Sequence, residues 1–419
     1  MPASPALTTP GPHARRRRVV VTGLGVLSGI GTGAAGFAAA LRAGRSAARP
    51  LTAFDTTGYA HATGCPVTGF EPDRRLRRVP PGDLGRAAQF AAAAGRMAAA
   101  DAGLAEADLR AVRCQVSIGT TDGGSHELDG LTAAELAGGP AGLDPAAVRR
   151  VPAPGLSAAV ARELGLTDVE ATTIGTACSA GNHAIGDGLD AIRSGDADIA
   201  LCGGADAVCR KTFTAFYRLG TVAPDQCRPF DAGRRGILPG EGAGVLVLES
   251  RDAALARGAR VYAEVLGYGL NCDARHPVAP DQDGVARCME LALHDAGVAP
   301  GDVDLISAHG TGTKANDVTE ARAIRAVYGP EPPRTVGLKS MLGHTMGAAS
   351  ALAAAACALA ITHRFVPPTI NHRGTDPACE IDCVPNTAVE ADLRVVQNNG
   401  MAFGGNNAVV LFGRHEAAS

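Results

Sequence analysis

From residue 19 to residue 412 the chain alternates short β-branched or apolar runs with longer, often Ala-rich stretches of helical length, and no long linker interrupts the alternation. Such a pattern favours a layered α/β architecture whose sheets are largely buried. It predicts strands near 19–21, 116–118, 199–202, 244–248, 261–266, 305–307, 335–337 and 408–412. Helices are expected near 37–42, 86–103, 179–194, 284–297, 317–328 and 347–362. At 419 residues the chain is long enough for two structural halves. The likeness between VVVTGLGVLS from residue 19 and VYAEVLGYGL from residue 261 is too faint to establish a repeat alone.

Charge narrows the class of function. Lys and Arg number 39 against 42 Asp and Glu, a net charge of −3, so no broad polyanion site and no nucleic-acid partner are expected. Only Lys211, Lys314 and Lys339 are lysines, which makes any lysine inside a motif conspicuous. The 11 cysteines are odd in number and contain no CxxC pair, which suits a reducing cytoplasm better than a disulfide framework. Cys379 and Cys383 form a lone CxxxC without a matching His or Cys pair, so no metal is expected. Residues 1–18 read as a disordered tail ending in four arginines. The apolar run that follows is too short and Gly-broken for a signal peptide. The Ala-rich runs at 87–100 and 348–361 are too short or interrupted to span a bilayer, so a membrane role is not expected.

Two Gly-rich segments imitate nucleotide loops and fall short. Gly23-Leu24-Gly25-Val26-Leu27-Ser28 lacks the third glycine and the later acidic residue of a dinucleotide fingerprint, and reads as a tight turn between strand and helix. Gly240 to Gly244 lacks the lysine and hydroxyl of a phosphate loop. The Arg228 to Glu241 segment, with Asp231 among its glycines, reads as scaffold that satisfies buried turns.

The segment Thr173-Ile174-Gly175-Thr176-Ala177-Cys178-Ser179-Ala180-Gly181-Asn182-His183 is different, because a strand-like stretch ends at a cysteine and an amphipathic segment starts directly after it. A sharp strand-to-helix turn would present the Cys178 sulfur, and the amides and dipole of the helix start would favour its thiolate. His183 reads as a core or interface histidine. Two further Gly-rich turns carry His309, in Ser307-Ala308-His309-Gly310-Thr311-Gly312-Thr313, and His344, in Lys339-Ser340-Met341-Leu342-Gly343-His344. A thiol, two imidazoles and one of three lysines form a plausible nucleophile and acid/base set.

With these segments in view the chain resembles the β-ketoacyl-acyl carrier protein synthases, the condensing enzymes of fatty-acid and polyketide assembly that use one Cys and two His. The resemblance runs from about Val19 to Phe412. It rests on VVVTGLGVLS, GTACSAGNHAIG, GDADIALCGGADA, RPFDAGRRGILPGEGAG, AHGTGTKAND, KSMLGHTMGAASA and NNGMAFGGNNA in that order. It implies a thiolase-like fold, two similar halves at 19–260 and 261–419 forming a five-layered α-β-α-β-α sandwich, with Cys178 in the first half and the His/His/Lys set in the second.

The same resemblance implies residue roles. Cys178 would accept an acyl chain from a carrier thioester, and His309 and His344 would donate hydrogen bonds to the enolate formed as a malonyl unit loses carbon dioxide. Lys339 would bias the histidines, and Glu320 would pair with it. The amides of Cys178 and Phe403 would form an oxyanion hole flanked by Gly404 and Gly405, with Phe403 gating the acyl pocket. Thr311 and Thr313 would hydrogen-bond pantetheine, and Phe216 and Met401 would shape the pocket. His276 matches a histidine of the family and is expected to be structural. No cofactor is implied beyond the phosphopantetheine arm of the acyl carrier protein, the expected partner, with a basic cluster at Arg210, Lys211 and Arg218 guiding it. A homodimer, or a heterodimer with a homologous chain-length factor, is expected. Met401 and Ala402 stand where the family has Phe and Gly, Val278 where a threonine is usual, and Leu338 where a small or hydroxyl residue is usual. These departures suggest a pathway-specific synthase in polyketide or specialised fatty-acid assembly. A non-condensing partner subunit and an acyltransferase to an oxygen or nitrogen acceptor are the alternatives.

Overall fold

The computed structural model describes residues 17–416, so the expected tail lies outside the described residues except for its last two arginines. Arg18 is no part of a loose tail, since its Nε donates to Glu264 at 2.7 Å.

Ten strands form one continuous sheet. Five come from the first part of the chain: β1 (Val19–Ser28), β2 (Cys114–Gly119), β3 (Val169–Ile174), β4 (Ile199–Asp206) and β5 (Gly242–Ser250). Five come from the second: β6 (Ala263–Cys272), β7 (Leu305–Ser307), β8 (Arg334–Val336), β9 (Val395–Gly400) and β10 (Asn406–Gly413). Their spatial order is β1-β5-β4-β2-β3 and β6-β10-β9-β7-β8, so each set runs first, fifth, fourth, second, third. The parallel and antiparallel pairings also correspond, with β2 parallel to β3 and β4, and β7 parallel to β8 and β9. The faint internal likeness of sequence is thus a duplicated topology. The two copies join where β1 meets β6, Val19 opposite Val265 and Val21 opposite Ala263.

Helices complete five layers, the thiolase-like arrangement that the resemblance implied. α1 (Arg86–Asp101) and α2 (Gly155–Leu164) cover the outer face of the first copy, and α4 (Gln282–Ala296), with α5 (Lys314–Tyr328) beside it, covers that of the second. Between the copies lie α3 (Ala180–Ser194) and α6 (Ala348–His363), each touching strands of both. α6 is apolar on every side because every side is buried. Among the described residues no helix is long and apolar enough to cross a membrane.

The Gly23-Leu24-Gly25 segment is not the expected turn. It runs through the middle of β1, with a bulge between Val21 and Gly23. The glycines are there for close approach: a Cβ at Gly23 would stand 2.2 Å from the Ala98 carbonyl oxygen, and one at Gly25 would stand 1.8 Å from that of Ala94. The Ala-rich face of α1 lies directly on a strand stripped of side chains.

Candidate active site

The turn around Cys178 forms as its sequence suggests. β3 ends at Ile174, Ala177 takes a left-handed φ of 50°, and one tight turn later α3 begins at Ala180. The second copy holds this turn in place. Ser179 Oγ donates to the Asn406 carbonyl at 2.9 Å, and the Asn182 amide donates to the carbonyls of Asn398 at 3.1 Å and Ala408 at 2.9 Å. Cys178 is buried, and it alone of the cysteines borders the main cleft. Burial pushes its thiol up to about 12, with Lys339 pulling the other way. Desolvation of the anion thus works against the pull toward thiolate that the helix start and Lys339 supply.

His309 lies just beyond β7, and His344 follows a one-turn helix, Lys339–Leu342, closed by Gly343. The backbone of His344 is fixed at both ends by the mid-chain segment: its N–H donates to Leu238 O at 2.7 Å, and Gly240 N–H donates to its carbonyl at 2.8 Å. The two imidazole centroids are 5.5 Å apart with planes at 81°. His344 Nδ1 accepts from the Met346 amide at 3.1 Å, which leaves the proton of the neutral ring on Nε2. Lys339 Nζ stands 3.4 Å from His309 Nδ1 and also donates to the His309 carbonyl, so the second ring is set in the same sense. Burial, reinforced by the Lys339 ammonium, holds both histidines well below their ordinary value, and each therefore offers a neutral Nε2–H donor.

Glu320 is fully buried on α5 but does not pair with Lys339 as expected. Its carboxylate accepts from His309 N at 2.7 Å, Gly310 N at 2.8 Å and Asn399 Nδ2 at 3.0 Å. Two of those donors are backbone amides of the histidine loop, so the carboxylate fixes that loop and acts on Lys339 only through space. Asn399, which the sequence reading did not single out, is itself held by Gln397 Nε2 at 2.8 Å.

The sulfur and the two imidazoles, but not Lys339, Glu320 or Asn399, line a cleft of about 640 Å³. Cys178, His309 and His344 share it with Phe216, Met401, Phe403, Thr311 and Thr313. Phe216 stacks obliquely on Phe403 at 5.4 Å between centroids and stands 6.4 Å from the His344 ring. Thr311 and Thr313 hydroxyls meet at 3.0 Å, and Thr313 also caps α5 by accepting from Asn316 N at 3.3 Å. Gly404 and Gly405 are not on the wall. Their φ values of 80° and 76° let the chain turn between Phe403 and β10, with Gly404 N–H donating to Pro277 O at 2.8 Å, so their part is conformational. Val278 lines the cleft without a hydroxyl, and His276 Nδ1 accepts from the Val278 and Ala279 amides at 3.0 and 2.8 Å, a structural part as expected.

The remaining expectations divide. Asp231 accepts from the amides of Gly233, Arg373 and Gly374, and Glu241 from those of Val67 and Val208 while pairing with Arg86, which makes the mid-chain segment scaffold. His183 lies off the cleft, half-buried, with Nδ1 at 3.2 Å from the Ser179 carbonyl. Arg210 and Arg218 are exposed on the helix Arg210–Arg218, but Lys211 is engaged by Asp122 at 3.0 Å and Ser125 at 2.7 Å, which weakens the basic cluster. Among the described residues no group of three or more His, Cys, Asp or Glu could hold a metal ion. The sequence reading missed four cleft residues of the mid-chain segment, Arg234, Arg235, Gly236 and Ile237, of which the doubled arginine was the available signal.

Comparison with known proteins gives concordant matches along the chain. Residues 16–254 match the family model described as Beta-ketoacyl synthase, N-terminal domain, and residues 262–373 match that of the C-terminal domain. Nodulation protein E of Rhizobium meliloti (strain 1021) is 40% identical over 408 residues, covering 94% of this chain and 99% of that protein. A 3-oxoacyl-[acyl-carrier-protein] synthase 2 from Synechocystis is 37% identical over 415 residues, covering 96% of this chain and all of that protein. Among solved structures, the ishigamide ketosynthase/chain length factor superposes with a TM-score of 0.95 at 62% identity, covering 96% of this chain and 100% of that one.

Proposed function

The chain belongs to the beta-ketoacyl synthase family, and from that premise we propose how its residues divide the decarboxylative condensation of a Cys-bound acyl chain with a malonyl carrier. The observation that carries the assignment is the shared cleft: one buried thiol faces two neutral imidazoles, each with Nδ1 engaged and Nε2–H left to donate. Cys178 Sγ attacks the thioester carbonyl of an acyl chain delivered on a pantetheine arm, and its proton leaves with the departing carrier sulfur. Because the resting thiol holds its proton, deprotonation accompanies attack.

Malonyl carrier then binds beside the acyl-enzyme. His309 and His344 donate to its thioester oxygen as the carboxylate leaves as carbon dioxide, which stabilises the enolate without proton transfer. The enolate carbon attacks the Cys178 thioester, the amides of Cys178 and Phe403 receive the oxyanion, and collapse expels the Cys178 thiolate with a β-ketoacyl carrier as product. Lys339 keeps the histidines neutral, and Glu320 holds the His309 loop. Phe403, packed on Phe216, gates the acyl pocket, to which Met401 gives shape, and the Thr311 and Thr313 hydroxyls hydrogen-bond pantetheine.

The partner is an acyl carrier protein, in line with the name of the Synechocystis relative. The likeness to the ishigamide ketosynthase/chain length factor supports pairing with a homologous subunit over self-pairing, and polyketide or specialised fatty-acid assembly as the setting. All eleven cysteines are free, which suits a reducing cytoplasm. The test is intact-protein mass spectrometry of wild type and Cys178→Ala with acyl carrier thioesters, followed by malonyl carrier. An adduct on wild type alone, discharged into a longer β-keto chain, supports the assignment. An adduct that malonyl carrier cannot discharge overturns it in favour of acyl transfer to another acceptor, and no adduct with or without a homologous partner subunit indicates a non-condensing role.

A further inference from the structure

Two cations line the same cleft as Cys178 and take part in neither the scaffold nor the chemistry. Arg235 and Lys314 are both exposed, and among the described residues neither side chain has a hydrogen-bond or ion-pair partner. Their neighbours contrast with them. Arg234 is buried and engaged by Asp376 at 2.7 Å and by the Asp231 carbonyl at 2.9 Å, while Lys211 is tied to Asp122 and Lys339 to His309. Among the described residues Lys314 is thus the one lysine whose ammonium has no bonded partner.

The two loops that carry these cations are locked together. Gly236 N–H donates to Gly312 O at 2.9 Å, and the Arg234 guanidinium reaches the Thr313 carbonyl at 3.3 Å and that of Lys314 at 3.5 Å. Arg235 and Lys314 therefore flank one joint at the solvent end of the cleft, with the thiol and imidazoles buried further in. Asp376, whose carboxylate also feels the Lys314 charge, is held by Arg234. Two cations without a bonded partner on a rigid joint are a receptor for a compact anion, Arg supplying a planar fork of donors and Lys a point charge.

We propose that Arg235 and Lys314 bind the phosphodiester of the pantetheine arm as it threads toward Cys178. This rests on the reading that the substrate arrives on such an arm. The phosphodiester keeps one full negative charge, and it is the one anionic group of the arm itself.

The test uses one acyl group on three donors: an N-acetylcysteamine thioester, which has no phosphate, a 4′-phosphopantetheine thioester, and the acyl carrier protein. Acylation of Cys178 is followed by intact mass in wild type, Arg235→Ala, Lys314→Ala and the double variant. The expected result is a rise of roughly three- to tenfold in the half-saturating concentration of the two phosphate-bearing donors for each single variant, larger for the double, with the phosphate-free donor unchanged. Equal loss on all three donors overturns the proposal in favour of a role in cleft shape, and loss on the carrier protein alone overturns it in favour of contact with the carrier's surface. Calorimetry with 4′-phosphopantetheine separates this proposal from the reading beneath it. A wild type that no donor acylates, yet whose affinity for phosphopantetheine falls in both variants, loses the condensing mechanism and keeps the phosphate site.

Discussion

Replacing Glu320 by Gln changes one atom of the carboxylate and exposes what that carboxylate does. Three donors converge on it: His309 N at 2.7 Å, Asn399 Nδ2 at 3.0 Å, both on one oxygen, and Gly310 N at 2.8 Å on the other. A carboxamide has one accepting oxygen. Turned toward His309 and Asn399, it points its NH2 at the Gly310 N–H; turned the other way, it faces two donors. Either orientation loses at least one bond to a charged acceptor and sets buried donors against each other, a cost of about 2–4 kcal/mol. Burial and, to a lesser degree, Asp317 raise the Glu320 pKa, but every hydrogen-bond partner is a donor, so those contacts favour the anion. The histidine loop should shift by a fraction of an ångström, and a displacement of that order at a reacting group lowers rates by tenfold or more. Urea unfolding should show the loss of stability, and release of labelled carbon dioxide from malonyl carrier should fall at least tenfold while acylation of Cys178 persists. In the double variant Glu320→Gln/Asn399→Ala the two losses should be less than additive. Stability within about 0.5 kcal/mol of wild type, with normal decarboxylation, would refute the reasoning.

Lys339→Met removes the cation that helps hold both imidazoles below their ordinary value, so their pKa values rise; protonated rings are lost as neutral donors, and the acid limb of the decarboxylation pH profile should move to higher pH. An unmoved limb would show that burial alone sets the two values. Gly25→Ala should destabilise by about 3 kcal/mol or more, because its Cβ would overlap the Ala94 carbonyl, whereas Gly36→Ala, on the exposed side of helix Gly33–Arg42 with open space around its Cβ, should stabilise by up to about 1 kcal/mol. Equal effects on the urea midpoint would contradict the packing of α1 on β1. Arg86→Met leaves Glu241 buried without its cation and should lower stability by about 3 kcal/mol, measured the same way.

The sequence was most legible where one physical demand acted alone. β7 falls on the expected residues 305–307, and the apolar α6 begins and ends within a residue of the expected 347–362. β9 was missed because Gln397, Asn398 and Asn399 fill it with polar side chains, Gln397 bonded to Asn399 within the strand, Asn398 to the Ser350 carbonyl and Asn399 to Glu320, so hydrogen bonds replace the apolar signal. β3, a partly exposed edge strand of mixed polarity, was legible only at its end, where the stretch leading to Cys178 reads as strand-like. Within the site, the turn at Cys178 could be read locally, since strand, cysteine and helix are contiguous. The meeting of Cys178, His309, Lys339 and His344 could not be read from spacing and came from the resemblance. The partner of Glu320 was misjudged because the resemblance pointed to Lys339, whereas the path of α5 places the carboxylate against the amides of the histidine loop. Gly404 and Gly405 were placed beside the oxyanion hole because they adjoin Phe403, whereas their backbone angles give them a conformational part.

The seam between the duplicated copies also governs when this protein becomes chemically competent. Cys178 belongs to the first copy, His309, Lys339 and His344 to the second, and the turn bearing the cysteine is held by carbonyls of β9 and β10. α6 has no face that tolerates water, so it reaches its place only as the copies close upon it. The same closure that buries α6 therefore brings Cys178 to His309, Lys339 and His344, so the site is complete only where the two copies are docked.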